Sequence, residues 1–306
     1  MRRVLVLVIA LSGRATAASP HIAIDAATKL LYLEAAPPKV CADDPQPIEC
    51  MISDRYASDP KAQAIALAMY RSTGDIAGVG EDEIMDGGFR GQIHLVPQLP
   101  SGPYRRHLAW VAAAMTSIDE FFAVQSGDQA PSYRWRALAL RFVRSIKKRT
   151  PSAYATTWAI AYNVEGSLLT SETGVRETLF HELFHLNDED HGNWSGKNLA
   201  SDYNVIVTKC ERVGGARKIR CYAPYAPNDT KVIATGAYYA FQQNNGEAVH
   251  EYAAELAVRY FKEQSELRGK KKLAHPAFKC GPPENARSWK LLVDEFFAGR
   301  DLVPEC

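Results

Sequence analysis

The chain has 306 residues, of which 46% are hydrophobic and 23% are charged, the composition of an ordinary globular protein. Its formal net charge is +1 and its basic residues are scattered, which excludes an electrostatic argument for nucleic-acid binding. The short basic runs at 147–149 and 270–272 are interpreted as solvated surface. The length allows one large domain or two modest ones.

The first residues have the pattern of a cleaved secretory signal. Arg2 and Arg3 precede an apolar run from Val4 to Leu11, and Ala15-Thr16-Ala17 supplies the small residues of a cleavage site. The run is far shorter than the ~20 apolar residues that cross a bilayer. We expect residues 1–18 to be removed and the mature protein to be secreted, either periplasmic or extracellular, without membrane partners.

Residues 19–103 form a mixed N-terminal segment, which is either a propeptide or part of the core. It contains a predicted helix from Pro60 to Arg71 and a predicted strand over 91–96, joined by Gly/Pro-rich connections. A stronger helix is predicted from Arg105 to Val124, because one apolar stripe runs along it. The stripe consists of Leu108, Val111, Met115, Ile118 and Phe122. We expect it to pack against a sheet.

Two strands and three helices are predicted downstream. The strands cover 135–143 and 155–164, and the second is rich in β-branched and aromatic residues. A helix then begins near Thr173, which we assign as its N-cap, and continues through His185. Further helices are expected over 246–264 and around 289–297.

Six cysteines follow the predicted cleavage site, an even number that suits disulfides in an oxidising compartment. Pairing between neighbours is favoured, because two pairs enclose turn-rich segments and the third closes the C-terminus. The predicted pairs are Cys41–Cys50, Cys210–Cys221 and Cys280–Cys306. The absence of any Cys-x-x-Cys spacing argues against a thiolate zinc site.

The predicted helix that ends at His185 carries the spacing H-E-x-x-H at His181, Glu182 and His185. Residues i and i+4 of a helix lie on the same face, so both imidazoles can direct a nitrogen at one metal ion. Glu182 lies about 100° around the helix, where it can reach a metal-bound water without being a ligand. Zinc in such a site lowers the pKa of the water to about 7, and Glu182 accepts its proton during attack on a carbonyl.

On this motif and the strands before it, the region 104–265 resembles the zincin metallopeptidases. The resemblance implies an α+β fold with a mixed twisted sheet, a backing helix and the H-E-x-x-H helix. We expect a helical, disulfide-stapled C-terminal part as well, with the catalytic domain covering 104–306. The family's substrate lies along an edge strand, here near 155–164. The implied cofactor is Zn²⁺, and the implied partner is a peptide or protein substrate.

A third zinc ligand is required, and several candidates stay open. His191 has the spacing of the metzincin branch, but Asp188 replaces that family's glycine. All five methionines precede the motif, so the metzincin methionine turn is impossible. An aspartate ligand, as in the aspzincins, would be Asp188, Asp190 or Asp202, although the flanking pattern of that branch is absent.

The favoured third ligand is Glu251. The segment 251–256, Glu-Tyr-Ala-Ala-Glu-Leu, resembles gluzincins similar to the lethal-factor-like group, in which the first glutamate binds metal and the second supports a ligand histidine. The resemblance therefore makes Glu251 the ligand and Glu255 its support, with Glu255 as an alternative ligand. The competing interpretation is an exposed acidic stripe of Glu247, Glu251 and Glu255. Alanines at 253, 254 and 257 would let two helices approach closely.

That group also has an oxyanion-stabilising tyrosine seven residues before its metal glutamate. The position is Asn244 here, so the match fails, and Tyr239 or its neighbour Tyr238 would serve only if the loop folds back. We select Tyr239 as the catalytic candidate. His250 is interpreted as a helix-surface histidine unless it orients the site.

The sequence therefore predicts a secreted zinc metallohydrolase, in the first place a peptidase with Glu182 as general base. One alternative is an inactive zincin-fold binding protein, against which the intact motif argues. Another is a zinc hydrolase of a non-peptide amide or ester, which would use the same chemistry. No residue pattern indicates the substrate or the oligomeric state.

Overall fold

A single mixed sheet organises the residues described by this computed structural model, which are 21–87, 90–126, 133, 136–213, 215–232, 236–242 and 248–306. The predicted signal, residues 1–18, lies outside the described residues. The described strands are β1 (Ile76–Val79), β2 (Glu83–Asp86), β3 (Gln92–Pro97), β4 (Ala139–Ser145), β5 (Ala153–Thr156) and β6 (Ala159–Asn163). Together with the helices they confirm the predicted α+β class.

Strand β4 is the centre of this sheet. Along one edge it pairs in parallel with β1 and then in antiparallel with β3, and along the other it pairs in parallel with β6. β2 extends β3 and β5 extends β6, both in antiparallel. Strands β2 and β5 are at opposite ends of the strand order, yet Tyr154 of β5 donates a 2.5 Å hydrogen bond to Glu83 of β2. The sheet is therefore curled.

The predicted strand over 155–164 is confirmed for β6 only, because the first part of this segment is the end of β5 and a turn. Strands β5 and β6 are joined by the two-residue turn Thr157-Trp158, whose φ angles are +47° and +57°. Two left-handed residues match the twist of a hairpin. The predicted strand over 135–143 corresponds to β4, which begins later; Trp135 lies outside the described residues.

Long periodic helices occur near their predicted positions. The described helices are α1 (Ile24–Tyr32), α2 (Lys39–Ala42), α3 (Pro47–Arg55), α4 (Pro60–Thr73), α5 (Arg105–Ser126), α6 (Glu172–Asp190), α7 (Trp194–Asn198), α8 (Ala200–Glu211), α9 (Gly215–Tyr222), α10 (Ala248–Arg268) and α11 (Pro283–Phe296). The N-cap of α6 is Ser171 rather than Thr173, since its side chain accepts from Gly174 N–H at 3.1 Å. Helix α11 begins earlier than predicted.

Helix α5 is the scaffold behind α6. All five residues of its predicted stripe are buried in the main core, which extends from Ala27 to Val303. His107 of α5 is hydrogen-bonded through Nδ1 to the Tyr162 hydroxyl of β6 at 2.9 Å, so the helix packs against the sheet as expected. Phe122 stacks on Phe180 of α6. The core therefore fixes α6 relative to the strands.

The segment before residue 104 is built into this core. It supplies β1, β2 and β3, and the Tyr56 hydroxyl donates to the backbone carbonyl of Ala77 in β1 at 3.0 Å. Asp59 accepts from Gly102 N–H at 2.7 Å and from Arg105 at 2.9 Å. Buried Asp75 accepts from Leu138 N–H at 2.8 Å, just before β4. The bonds to Arg105 and Leu138 tie the segment to the elements that follow it.

All three predicted disulfides are formed: Cys41–Cys50, Cys210–Cys221 and Cys280–Cys306. The last one closes the mostly helical C-terminal part, where Asp301 accepts hydrogen bonds from Trp289 and Gln264 and pairs with Lys279. Three disulfides fit an oxidising compartment outside the cytoplasm. No described helix combines the length and apolar character that crossing a bilayer requires.

We expect residues 104–306 expressed alone not to fold. Removing the preceding segment takes three strands from the sheet and uncovers the apolar side of α5, so β4 loses its partners on one edge. Thermal unfolding followed by circular dichroism should show one cooperative transition for residues 19–306 and none for 104–306. A cooperative transition in the shorter chain would contradict this integration.

Candidate metal centre

Helix α6 places the motif in the interior of the protein. Every residue from Thr178 to Phe184 is buried, because α5 and α10 pack against the helix and β5 lies beside it. His181 and His185 lie one turn apart, with their rings in an edge contact at 4.8 Å between centroids. Their side chains are 9% and 21% exposed, so the site opens to solvent on the side of His185.

Helix α10 brings two glutamates to these histidines. Glu251 and Glu255 are four residues apart and therefore share a face of the helix. Ala253, Ala254 and Ala257 are fully buried, and their small side chains permit the close packing of α10 in the core around α6. The side chains of Glu251 and Glu255 are only 14% and 8% exposed, so the interpretation of these two as part of an exposed acidic stripe is wrong. Glu247 lies outside the described residues.

Three donor atoms of His181, His185 and Glu251 form a compact triangle. His181 Nε2 lies 3.1 Å from His185 Nε2 and 3.1 Å from Glu251 Oε2, and His185 Nε2 lies 3.7 Å from the same oxygen. Zinc with bonds of about 2.05 Å in a tetrahedral arrangement separates its ligand atoms by about 3.3 Å. Two imidazoles and one carboxylate are also a ligand set of catalytic zinc sites. The residues present therefore fit a zinc ion.

Glu255 supports His181 from its other side. Its Oε1 lies 3.4 Å from His181 Nδ1, so the ring is held between two carboxylates with Nε2 directed at the triangle. Asn228 donates to the backbone carbonyl of Glu255 at 2.7 Å and fixes the helix there. The second oxygen of Glu255 is buried and has no hydrogen-bond partner among the described residues.

Electrostatics favour a cation at this position. Burial disfavours the charged forms of His181 and Glu251, but the hydrogen bonds of His181 to Glu251 and Glu255, and those of Glu251 to both histidines, dominate. As a result, the pKa of His181 is raised well above its usual range and the pKa of Glu251 is lowered. The carboxylates of Glu251 and Glu255 both contact the histidine pair. A divalent cation at the triangle would offset their negative charge, which is costly in a buried site.

Glu182 is buried on α6, the helix that packs beside β5. Burial is the main cause that raises the pKa of its carboxyl, while His181 and His185 lower it. The backbone N–H of Ala155 in β5 also interacts with the carboxylate. The structure thus brings a buried acid–base group, two histidines and an edge strand together. Sequence reasoning missed Ala155, because a backbone contact leaves no residue-type signal.

Tyr239 lies beside the site, because the short segment that contains it packs against α10. Its ring is 5.8 Å from the His181 ring, between centroids. Tyr239 belongs to a short 3-10 helix over 239–241, and its backbone N–H donates to Thr230 O at 2.9 Å. The neighbouring Tyr238 instead packs against Lys231. Of the two tyrosines, Tyr239 is therefore the one whose ring lies against a motif histidine.

The other ligand candidates have different partners. His191 Nδ1 lies 2.6 Å from Glu295 of α11. Asp188 accepts from the backbone and hydroxyl of Ser195, Asp190 accepts from Trp158, and Asp202 accepts from Arg287. His250 Nδ1 is 3.9 Å from Asp188. Among the described residues, the candidate metal cluster contains only His181, His185 and Glu251.

Comparison with protein-family models, curated proteins and solved structures finds no match for this chain. The relation to zincins accordingly stays a prediction from the motif and its surroundings.

Replacing the three ligand candidates separately tests which one completes the triangle. Glu251→Ala should weaken zinc binding most, because it removes a donor atom. Glu255→Ala should weaken it about 10–100-fold through loss of support for His181. His191→Ala should leave affinity unchanged, since that side chain contacts Glu295. Titration against a competing chelator measures all three; a larger loss in His191→Ala than in Glu251→Ala would contradict this assignment.

Proposed function

We propose that the protein is a zinc-dependent hydrolase of the zincin type that cleaves peptide bonds outside the cytoplasm. The observation that carries the proposal is the triangle of donor atoms from His181, His185 and Glu251, with Glu182 on the same helix. The backing helix α5, the edge strand β5 and the disulfides support it. The intact Glu182 favours a catalyst over an inactive binding protein.

The zinc ion would supply a polarising charge and a bound water whose pKa is near 7. His181, His185 and Glu251 would hold the ion. Glu182 would accept the proton of the attacking water and later return it to the leaving amine, the usual work of a general base that becomes a general acid. Glu255 keeps the ring of His181 in place throughout, because it contacts Nδ1 on the side away from the triangle.

Strand β5 supports a peptide as the substrate. Asn163 N–H donates to Ser152 O at 3.0 Å, and the register of β5 and β6 then directs the backbone groups of Ala153 and Ala155 away from β6. A peptide could add to this edge through main-chain hydrogen bonds. The two small side chains leave room for it, and Ala155 is next to Glu182. A peptide paired here would pass close to the catalytic groups.

Tyr239 would stabilise the oxyanion that forms when the carbonyl is attacked. Its ring lies beside His181, on the loop that leads to the ligand Glu251. A phenolic hydroxyl is a suitable donor for developing negative charge. This role follows from the resemblance to the lethal-factor-like group, although the tyrosine here is further from the glutamate in sequence.

Glu182→Gln tests the general base. The variant should keep about one zinc per chain, because Glu182 is not a ligand, while kcat for a peptide falls by about 10²–10⁴-fold. Glu177→Gln on the same helix is the matched control, since Glu177 pairs with Lys262. Metal analysis and assays on a peptide mixture provide the readouts. Zinc-loaded parent protein without hydrolysis would contradict the peptidase, and unchanged kcat in Glu182→Gln would contradict the base.

Tyr239→Phe tests the oxyanion role. It removes one hydroxyl and keeps the ring, so we expect kcat to fall by about 10²-fold or more with KM and zinc content nearly unchanged. Tyr238→Phe is the adjacent control, because Tyr238 packs on Lys231. Steady-state kinetics should give a lower kcat for Tyr239→Phe than for Tyr238→Phe. Equal kcat values for the two would remove Tyr239 from the reaction.

A further inference from the structure

Three side chains fasten the β5–β6 turn to the end of α6. The Trp158 indole N–H donates to Asp190 Oδ2 at 3.0 Å. The Arg136 guanidinium lies 5.0 Å from the centre of the Trp158 ring, and its Nη2 is 3.8 Å from the same Asp190 oxygen. We call Trp158, Asp190 and Arg136 the hairpin clamp. It combines a hydrogen bond and a cation–π contact of Trp158 with an ion pair between Arg136 and Asp190.

The backbone of the turn needs such support. Thr157 and Trp158 are both left-handed, although neither is the Gly, Asn or Asp that tolerates this conformation. Such a conformation is strained for any residue with a Cβ atom. A conformation of this kind persists only where the surrounding structure holds it. Trp158 is only 7% exposed, so the contacts of its side chain are the means by which the turn is held.

The hairpin is held to α6 both along β5 and at the turn. β5 packs beside α6, where the backbone of Ala155 is near Glu182. Trp158 lies in the turn that follows Thr156, the last residue of β5, and binds Asp190, the last residue of α6. A slip by one residue would move Ala155 by about 3.3 Å and reverse its side-chain direction.

We propose that the hairpin clamp is a positioning device that keeps β5 in register with Glu182. The inference rests on the proposed function, because register matters for catalysis only if a peptide pairs with β5. Trp158, Asp190 and Arg136 are positioning residues, since their contacts hold the strand and not the reacting groups. The loss of kcat/KM caused by replacing them should therefore increase with the number of substrate residues that pair with the strand.

Trp158→Phe, Asp190→Ala and Asp190→Asn test the clamp in the zinc-loaded protein. The first removes the N–H donor and keeps a ring, the second removes the acceptor, and the third keeps a carbonyl acceptor. Trp110→Phe is the matched control, because Trp110 of α5 also lies beneath an arginine, Arg106, at 5.6 Å. All variants should retain the zinc content of the parent, since the clamp contains no ligand.

Kinetics with two peptides distinguish a positioning role of the clamp from a general loss of structure in the variants. For an eight-residue peptide, Trp158→Phe and Asp190→Ala should lower kcat/KM about tenfold, the equivalent of one hydrogen bond. For a blocked dipeptide, which has little chain to pair with β5, kcat/KM should fall clearly less. Asp190→Asn should recover most of the loss, and Trp110→Phe should match the parent. Equal losses on both peptides would overturn the proposal.

Amide hydrogen exchange provides a readout that does not depend on hydrolysis. Exchange in residues 153–156 should be about tenfold faster in Trp158→Phe and Asp190→Ala than in the parent, with β1 amides unchanged. Parental exchange rates in both variants would overturn the clamp even if the parent cleaves peptides. A parent that binds zinc but cleaves nothing would overturn the peptidase, while faster exchange confined to β5 would still support the clamp's hold on the strand.

Discussion

The position of His181 between two carboxylates is the constraint on which the candidate site depends. Glu251 contacts one ring nitrogen and Glu255 the other, and both come from one face of α10. The contacts therefore fix the distance between α6 and α10 and the rotation of each helix about its axis. Buried alanines on α10 make that distance attainable, and α5 supports α6 from behind. The geometry at the triangle is a property of three helices rather than of the motif alone.

The curled sheet supplies a second constraint, the position of the edge strand. β5 is held by β6 along one side, by the Tyr154–Glu83 hydrogen bond and by Trp158 at the turn. These attachments act on a strand of four residues, which alone would be weakly fixed. The backbone of Ala155 can face Glu182 because Tyr154 before it binds Glu83 and Trp158 after it binds Asp190.

Sequence reasoning succeeded where the signal was local. The i, i+4 spacing of His181 and His185 and the stripe of α5 follow from helical geometry, and short cysteine separations favoured the pairs that form. The hairpin was missed because Thr157-Trp158 carries no glycine or asparagine and interrupts an apolar run only briefly. Short helices such as α2 and α7 have too few residues for a periodic pattern.

Contacts between distant segments could not be read in the same way. Glu251 was selected through a resemblance, because nothing in the spacing of single residues shows that α10 packs on α6. The difference between Tyr238 and Tyr239 depends on the path of a loop, which periodicity does not describe. Ala155 acts through its backbone, so any residue type could occupy that place.

The distribution of covalent links gives the packing of α6 against α10 a further meaning. Each of the three disulfides joins cysteines within 26 residues of each other, and none of them links these two helices. A metal ion held by His185 and Glu251 would therefore act as a long-range crosslink, closing a loop that the disulfides leave open. Closing a long loop removes more entropy from the unfolded chain than closing a short one. Binding of the ion would then be the step that joins α6 and α10 across the site.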